Sequence, residues 1–287
     1  MQTKTEIKAI LADAGISPLK RFGQHFMIDG NLMSKLVVSA NIRKNDVVLE
    51  IGPGTGSLTE RLLEVAGRVI AIEIDNTLYA ICRQRFGEHK NLTLIHGDIL
   101  KSKSTIHPDV LQQLSEQRHH LGGRILMVAN LPYQTATPTI IDLLMGDLFV
   151  SQMCFTVQAE VAERILSSPG GKSYGPISIF TQALAKVEKI ARVPPEAFWP
   201  KPKIYSMMLK LEQLPEKNIP VPVRRQLTKV VHQCFNHRRK TMKSSLQKIS
   251  DESTCQRLNE SAKWNLTDRP EQLTVEQWIE LAKCFCS

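Results

Sequence analysis

The sequence predicts an α/β protein in two parts: an open, mainly parallel, doubly wound sheet followed by a smaller, mainly helical domain. Three observations carry this reading. Strand-like apolar runs alternate with helix-patterned segments through most of the chain. The first strong run, VVLEIG, breaks into Gly52-Pro53-Gly54-Thr55-Gly56 and resumes as the helix-patterned SLTERLLEVA. Prolines at 215, 220 and 222 end the alternation and precede a basic, helix-patterned tail. The domains are therefore placed at 1–214 and 215–287.

Taken in order, the runs 47–52, 68–75 (RVIAIEID), 92–98 (LTLIHGD) and 124–133 (RILMVANLPY) read as four strands. TLYAICRQRF reads as the helix between the second and third. Residues 101–123 form a polar, partly helical connection longer than such a fold requires. A fifth strand around MCFTVQ leads into the helix AEVAERILS, followed by the helix-like PISIFTQAL, the strand-like KVEKIARV, the loop PPEAFWPKPK and a last strand, SMMLKLEQL.

Composition narrows the functional classes. The 287 residues are 42% hydrophobic and 23% charged, a globular balance. No run of about 18 uncharged apolar residues offers a membrane span, and the N-terminus lacks the layout of a signal peptide. A cytoplasmic, monomeric protein is expected. The six cysteines form no CxxC pair and have no histidine at zinc spacing, so reduced thiols are expected, with no disulfide framework or metal. The formal net charge is +9, and residues 217 to 250 hold nine basic residues and no acidic one. The rest of the chain balances at 28 basic against 28 acidic. Clustering of one sign favours a polyanionic partner, and nucleic acid fits better than a membrane because aromatic anchors are nearly absent there.

The glycine turn and the strand ends beyond it suggest the chemistry. Glycines at 52, 54 and 56 let a ligand approach the backbone at the carboxyl end of the first strand. A dinucleotide fingerprint needs its third glycine one residue later, where Ser57 stands, so a smaller nucleoside such as S-adenosylmethionine is favoured. Glu73, near the end of the second strand, suits a carboxylate accepting both ribose hydroxyls, although a solvated strand-end acid would look the same. Asp98 could take the adenine amino group or simply cap a turn. Asn130-Leu131-Pro132-Tyr133 ends the fourth strand. An adenine N6 amine is a poor nucleophile because its lone pair is delocalised into the ring. The Asn130 side-chain oxygen and the carbonyl of the Leu-Pro step can accept its two hydrogens and turn the lone pair toward a methyl donor. Tyr133 offers a stacking face for a base removed from its surroundings. His119 and His120 have no ligand-spaced partner and read as exposed, and Trp264 and Trp278 read as core of the tail.

Together LKRFGQHFMID, LEIGPGTGSLT, Glu73, GDIL, NLPY, QAEVAERI, SYGPISI, PPEAFWPKPKIYS and FNHRRKTMKSSL run in one order over nearly the whole chain. In that order they resemble the ribosomal RNA adenine N6,N6-dimethyltransferases. FNHRRKT and the helical tail place the resemblance in the bacterial small-subunit branch associated with kasugamycin resistance, not the erythromycin-resistance branch. The resemblance implies a class I, Rossmann-like methyltransferase. Using S-adenosylmethionine, it would dimethylate two adjacent adenines in the 3′-terminal hairpin loop of 16S rRNA, on an immature small subunit. It implies cofactor contacts at His25, Met27, Gly52, Glu73, Asp98 and Asn130, with Asn130 at the boundary to the target base. Tyr133 and Phe198 would be the two aromatic faces on that base, although read without the family Phe198 and Trp199 between prolines fit a loop packed on the sheet at least as well. For RNA binding, the candidates are Arg224, Arg225, Arg238, Arg239, Lys240 and Lys243. Other readings remain: an assembly or RNA-binding protein without turnover, or an adenine methyltransferase acting on 23S rRNA or DNA. The chain departs from the family pattern at His25 (commonly Asn), where cofactor contact is expected to survive with a different polar group, and at Ala159 (Lys), Pro176 (Arg) and Tyr205 (Asp), so RNA contacts near those three positions are expected to differ.

Overall fold

The computed structural model describes residues 2–18, 24–102, 105–217, 219–248 and 265–286. In chain order the elements begin with α1 (Lys4–Asp13), β1 (Phe26–Met27), α2 (Gly30–Ser39), β2 (Val47–Ile51), α3 (Ser57–Val65) and β3 (Arg68–Glu73). Next come α4 (Asn76–Phe86), β4 (Leu92–His96), β5 (Leu100–Ser102), β6 (Thr105–Ile106), α5 (Pro108–Leu121), β7 (Ile125–Asn130) and α6 (Ala136–Met145). Then follow β8 (Gln152–Gln158), α7 (Ala159–Leu166), α8 (Pro176–Leu184), β9 (Ala185–Val193), β10 (Phe198–Trp199) and β11 (Ser206–Gln213). The chain closes with α9 (Val221–Phe235), α10 (Met242–Leu246) and α11 (Val275–Cys284).

Seven strands form one sheet in the order β4-β3-β2-β7-β8-β11-β9. Parallel registers run from β4 through β8, and β11 lies antiparallel to β8. The central strands are continuous apolar runs because helices cover both faces, and β2 is buried at every position. The parallel registers put the ends of β2, β3, β4 and β7 on one edge, with Glu73 opposite His96 and Asn130 opposite Thr156. That edge is where an open α/β sheet holds its ligand. The long connection after β4 contains the β5–β6 hairpin and α5, whose last turn exposes His119 and His120.

The sheet is pinned at its base by a buried acid. Asp46, fully buried just before β2, accepts from the backbone N–H of Arg43 and Arg124 and from Nε and Nη2 of Arg124, at 3.1 and 2.6 Å. Burial alone would raise its pKa, but these hydrogen bonds outweigh it and hold the carboxyl below its usual 3.8. Arg124→Met should cost about 3–5 kcal/mol, since it leaves a buried carboxylate without its cation. The Asp46 contribution is present above pH 3.8 and is lost as pH falls through the lower folded value. Denaturant melts of both proteins at pH 7 and pH 3 check this, and a gap unchanged between the two pH values would contradict it.

Contacts divide the described residues into two compact units. The first takes the described residues within 1–143, 148–162 and 188–212, and the second those within 144–147, 163–187 and 213–287. The chain thus crosses between units more than once, where the sequence alone suggested one boundary after residue 214. The cause is α8, which buries Ile177, Ile179, Phe180, Ala183 and Leu184 around most of its circumference and needs cover on more than one side. Within the second unit α9 and α11 provide it. Val223, Leu227, Val230, Val231 and Cys234 form the buried stripe of α9 at helical spacing. Trp278 is fully buried on α11, its ring 5.9 Å from that of Phe235. Trp264 and Cys255 lie outside the described residues. The five described cysteines are free thiols, and no described helix is long and apolar enough to cross a membrane.

Candidate active site

The loop between β2 and α3 is shaped by its glycines. Gly54 and Gly56 have φ of 61° and 86°, the left-handed region where a Cβ is strained. Space excludes a side chain as well: a Cβ on Gly56 would lie 2.2 Å from the Phe86 ring, and one on Gly54 would lie 2.9 Å from the Phe26 ring. Gln2 holds the turn from outside, bonding both the carbonyl and the hydroxyl of Thr55. Glu73 holds it from within. One of its carboxylate oxygens accepts from the Gly54 N–H at 3.1 Å and the other from the Asp75 N–H at 2.9 Å. Burial raises the Glu73 pKa while those amides oppose the rise.

These groups line a cavity of about 290 Å³ along the carboxyl edge of the sheet. His25, Met27, Gly52, Glu73, Asp98 and Asn130, the six sequence candidates for cofactor contact, all lie on its wall, as does Tyr133. Asp98 is fixed by an Asx turn in which Oδ1 accepts from the Leu100 N–H at 2.9 Å. At the end of β7, Asn130 donates from Nδ2 to the backbone carbonyl of His25 at 3.0 Å. That bond sets the orientation of the amide, with Oδ1 as its acceptor end. The Tyr133 hydroxyl is hydrogen bonded to Ser206 Oγ at 3.1 Å, which fixes the ring, and burial raises its pKa.

Phe198 departs from expectation. Its side chain is 2% exposed, packs in the core with Met33, Leu36 and Met27, and is absent from the cavity wall. The reason is local pairing, since β10 runs antiparallel to β1 and sets Phe198 opposite Met27. The ring beside Tyr133 is that of His25, with centroids 5.4 Å apart. His25 is itself positioned by Nδ1, which lies 2.6 Å from the Pro200 carbonyl oxygen.

Among the wall residues that the sequence did not single out are Ile74 and Glu50. Ile74 follows Glu73 and is 42% exposed, an apolar surface turned out at a strand end. Glu50 sits within the apolar β2 run, where an acid flanked by VVL and I was itself a signal. It is 1% exposed, its Oε2 has no hydrogen-bond partner, and burial, aided by the nearby Glu73 charge, pushes its pKa up to about 8. The folded chain therefore binds a proton at Glu50 that the unfolded chain releases above about pH 4.5. Stability from this group is fully present below that value and declines as pH rises toward 8. Glu50→Gln should abolish that decline, so its melting temperature relative to the native chain should rise between pH 5 and pH 8. Parallel melting curves for the two chains would contradict the assignment.

In the second unit the basic segment divides into two sets. Arg224 is half-buried, and its guanidinium bonds the carbonyls of Ile219 and Gly146 at 2.7 Å and of Leu144 at 3.5 Å. Burial lowers its pKa. Its cation caps the carboxyl end of α6, a structural role in place of the RNA contact expected for it. Arg238 bonds the Lys172 carbonyl and lies 3.6 Å from Glu271. Arg225 is exposed, with a long 3.7 Å pairing to Asp147. Arg239, Lys240 and Lys243 are exposed and make no ion pair among the described residues. The last three follow α9 and enter α10, where Thr241 caps the helix.

Comparison with known proteins agrees with this geometry. Residues 18–286 match the family model described as ribosomal RNA adenine dimethylase. The chain is 36% identical over 267 residues to a ribosomal RNA small subunit methyltransferase A of Clostridium botulinum, covering 93% of each protein. It is 38% identical over 269 residues to the protein of that name from Lachnoclostridium phytofermentans, covering 92% of this chain and 90% of the relative. A solved dimethyladenosine transferase from Plasmodium falciparum shares the fold with a TM-score of 0.69 at 24% identity, over 90% of this chain and 96% of that one. With seven cofactor and base candidates on one cavity wall and a family match over nearly its whole length, this chain belongs to the ribosomal RNA adenine dimethylase family.

Proposed function

We propose that this protein transfers methyl groups from S-adenosylmethionine to the N6 amines of two adjacent adenines in the 3′-terminal hairpin loop of 16S rRNA. It would act as a cytoplasmic monomer on an immature small subunit. The observation that carries the chemistry is Asn130, tethered through Nδ2 to the His25 carbonyl so that Oδ1 is its acceptor. The name shared by the curated relatives, which specifies the small subunit, supports the address.

The residues present fit the cofactor. Gly54 and Gly56 have no room for side chains, Glu73 offers a buried carboxylate beside the turn, and Glu50 has an unpartnered oxygen on the same wall. Gly52, Glu73 and Asp98 would hold its backbone-facing edge, ribose and adenine, and Met27 and His25 its methionine end. When bound, it would supply a methyl group activated by a sulfonium; each transfer would break the sulfur–methyl bond, leave S-adenosylhomocysteine and release one proton from the N6 nitrogen to solvent. The enzyme's own contribution is positioning. Asn130 Oδ1 accepts one N6 hydrogen and the Leu131 carbonyl accepts the other, which turns the nitrogen lone pair out of the ring plane and along the line of transfer. Tyr133, locked by Ser206, stacks on the base, and the His25 ring closes the neighbouring side. Alignment of this kind is worth up to about 7–11 kcal/mol in favourable intramolecular cases, so no covalent enzyme intermediate is needed.

A labelled-methyl assay offering small subunits that lack the modification, large subunits and duplex DNA in parallel tests the whole reading. The expected result is N6,N6-dimethyladenine at two adjacent positions in the small subunit. Label confined to large subunits or DNA would overturn the address, and no transfer to any of them would overturn the activity.

A further inference from the structure

At the carboxyl edge of the sheet that also carries Asn130, the first unit has an exposed aromatic side chain that the proposed chemistry does not use. Tyr205 is 43% exposed and Ile204 42%. The guanidinium of Arg192, itself exposed on β9, lies over the Tyr205 ring at 3.8 Å from its centroid. Lys203, two residues earlier, is also exposed. The backbone carbonyl of Tyr205 accepts from the Ala159 N–H at 3.0 Å, which fixes the residue at the end of the β8–β11 pairing. The next residue, Ser206, is the one whose hydroxyl bonds Tyr133. Because β11 is antiparallel to β8, its first residue lies opposite Gln158, on the same carboxyl edge as Asn130.

We infer that the Tyr205–Arg192 pair is a second stacking platform, which holds the unpaired nucleotide next to the adenine in the cavity. An exposed aromatic face flanked by cations is what single-stranded RNA uses: the ring takes a base by stacking, and the cations take the adjoining phosphates. Arg192 already stacks on one side of the ring, so the phenol has little freedom to lose when a base arrives. Adjacent nucleotides in an extended strand lie several ångströms apart, and Tyr205 is one residue from the group that locks Tyr133. While one base is turned into the cavity its neighbour would rest on Tyr205, so the platform would set which nucleotide is presented. The inference rests on the proposed stacking of a target adenine at Tyr133.

The test measures kcat and KM for Tyr205→Ala, Tyr205→Phe and Arg192→Gln on whichever RNA the native enzyme methylates, together with cofactor affinity. Alanine should raise KM roughly 5- to 150-fold, the range expected for loss of one stacked base. Phenylalanine should stay within about twofold of native, Arg192→Gln should fall between, and cofactor affinity should not change. An alanine variant with native KM would overturn the platform, as would a phenylalanine variant as impaired as alanine. A photo-crosslinking p-benzoylphenylalanine at position 205 should attach to the nucleotide beside the methylated adenine, and attachment only at a distant site would also overturn it. Because these assays follow the substrate the native enzyme accepts, an error in the small-subunit address would show in the native arm alone and leave the Tyr205 comparison readable.

Discussion

Asn130→Ala is expected to slow methyl transfer about 10²- to 10³-fold while cofactor affinity changes much less. That magnitude is what removal of one preorganised hydrogen-bonding group at a reacting centre typically costs. The amide does two things at once. Nδ2 holds the carbonyl of His25, and in the proposed mechanism Oδ1 accepts from the amine whose lone pair must be freed. Alanine removes both, so the surviving activity should also stop more often at the monomethyl product. Asn130→Asp keeps an acceptor but sets a carboxylate oxygen against the His25 carbonyl, and it should fail with alanine and not rescue. Single-turnover rates with nucleoside mass analysis decide the matter, and full dimethylation by the alanine variant at native rate would sink the assigned role.

The second large effect concerns binding. Neutralising Arg239, Lys240 and Lys243 together to glutamine should weaken subunit binding at ~0.15 M salt by one to two orders of magnitude. It should also flatten the slope of log K against log salt by about 2, since each lost phosphate contact removes roughly 0.7 to 0.9 from it. Cofactor affinity should not move. The neighbouring arginines should behave differently. Arg224, bonded to three carbonyls, and Arg238, bonded to Lys172 and close to Glu271, should lose stability when replaced and leave the slope almost intact. Salt titrations of subunit binding would separate the two groups, and an unchanged slope in the triple variant would refute phosphate contact by these residues.

Much of this architecture was readable before the structure because the strong signals are local. VVLEI, RVIAIE, LTLIH and ILMVAN are apolar-rich runs; the first three end as strands within two residues of their predicted carboxyl limits, and the fourth stops at Asn130, three residues before the predicted 133. Gly52, Glu73, Asp98 and Asn130 were legible because a parallel sheet brings its strand ends to one edge, whereas His25 and Met27, which lie outside that sheet, came only from the family resemblance. What stayed hidden depends on contacts distant in sequence. Phe198 and Trp199 between prolines gave no hint that two residues of β1, some 170 positions earlier, would pair with them and draw Phe198 into the core. Nor could charge alone separate Arg224 from Lys240, because the difference lies in whether a carbonyl from residues 144–146 is within reach. The placement of α8 with the C-terminal helices escaped for the same reason: its amino acids announce burial but not the surface that supplies it.

The tether between Asn130 and the His25 carbonyl also bears on which bases the cavity will tolerate. An amide free to rotate could offer either its NH₂ or its oxygen to whatever sits opposite. Held by Nδ2, it offers oxygen. In the proposed mechanism adenine would present an amine there and be accepted. Guanine or hypoxanthine presents a carbonyl oxygen at the equivalent ring position and would meet lone pair with lone pair, a buried mismatch that leaves two acceptors unpaired. A single hydrogen bond from a side-chain amide to a main-chain carbonyl more than a hundred residues away in sequence would thus make the cavity a reader of base identity as well as a holder of its amine.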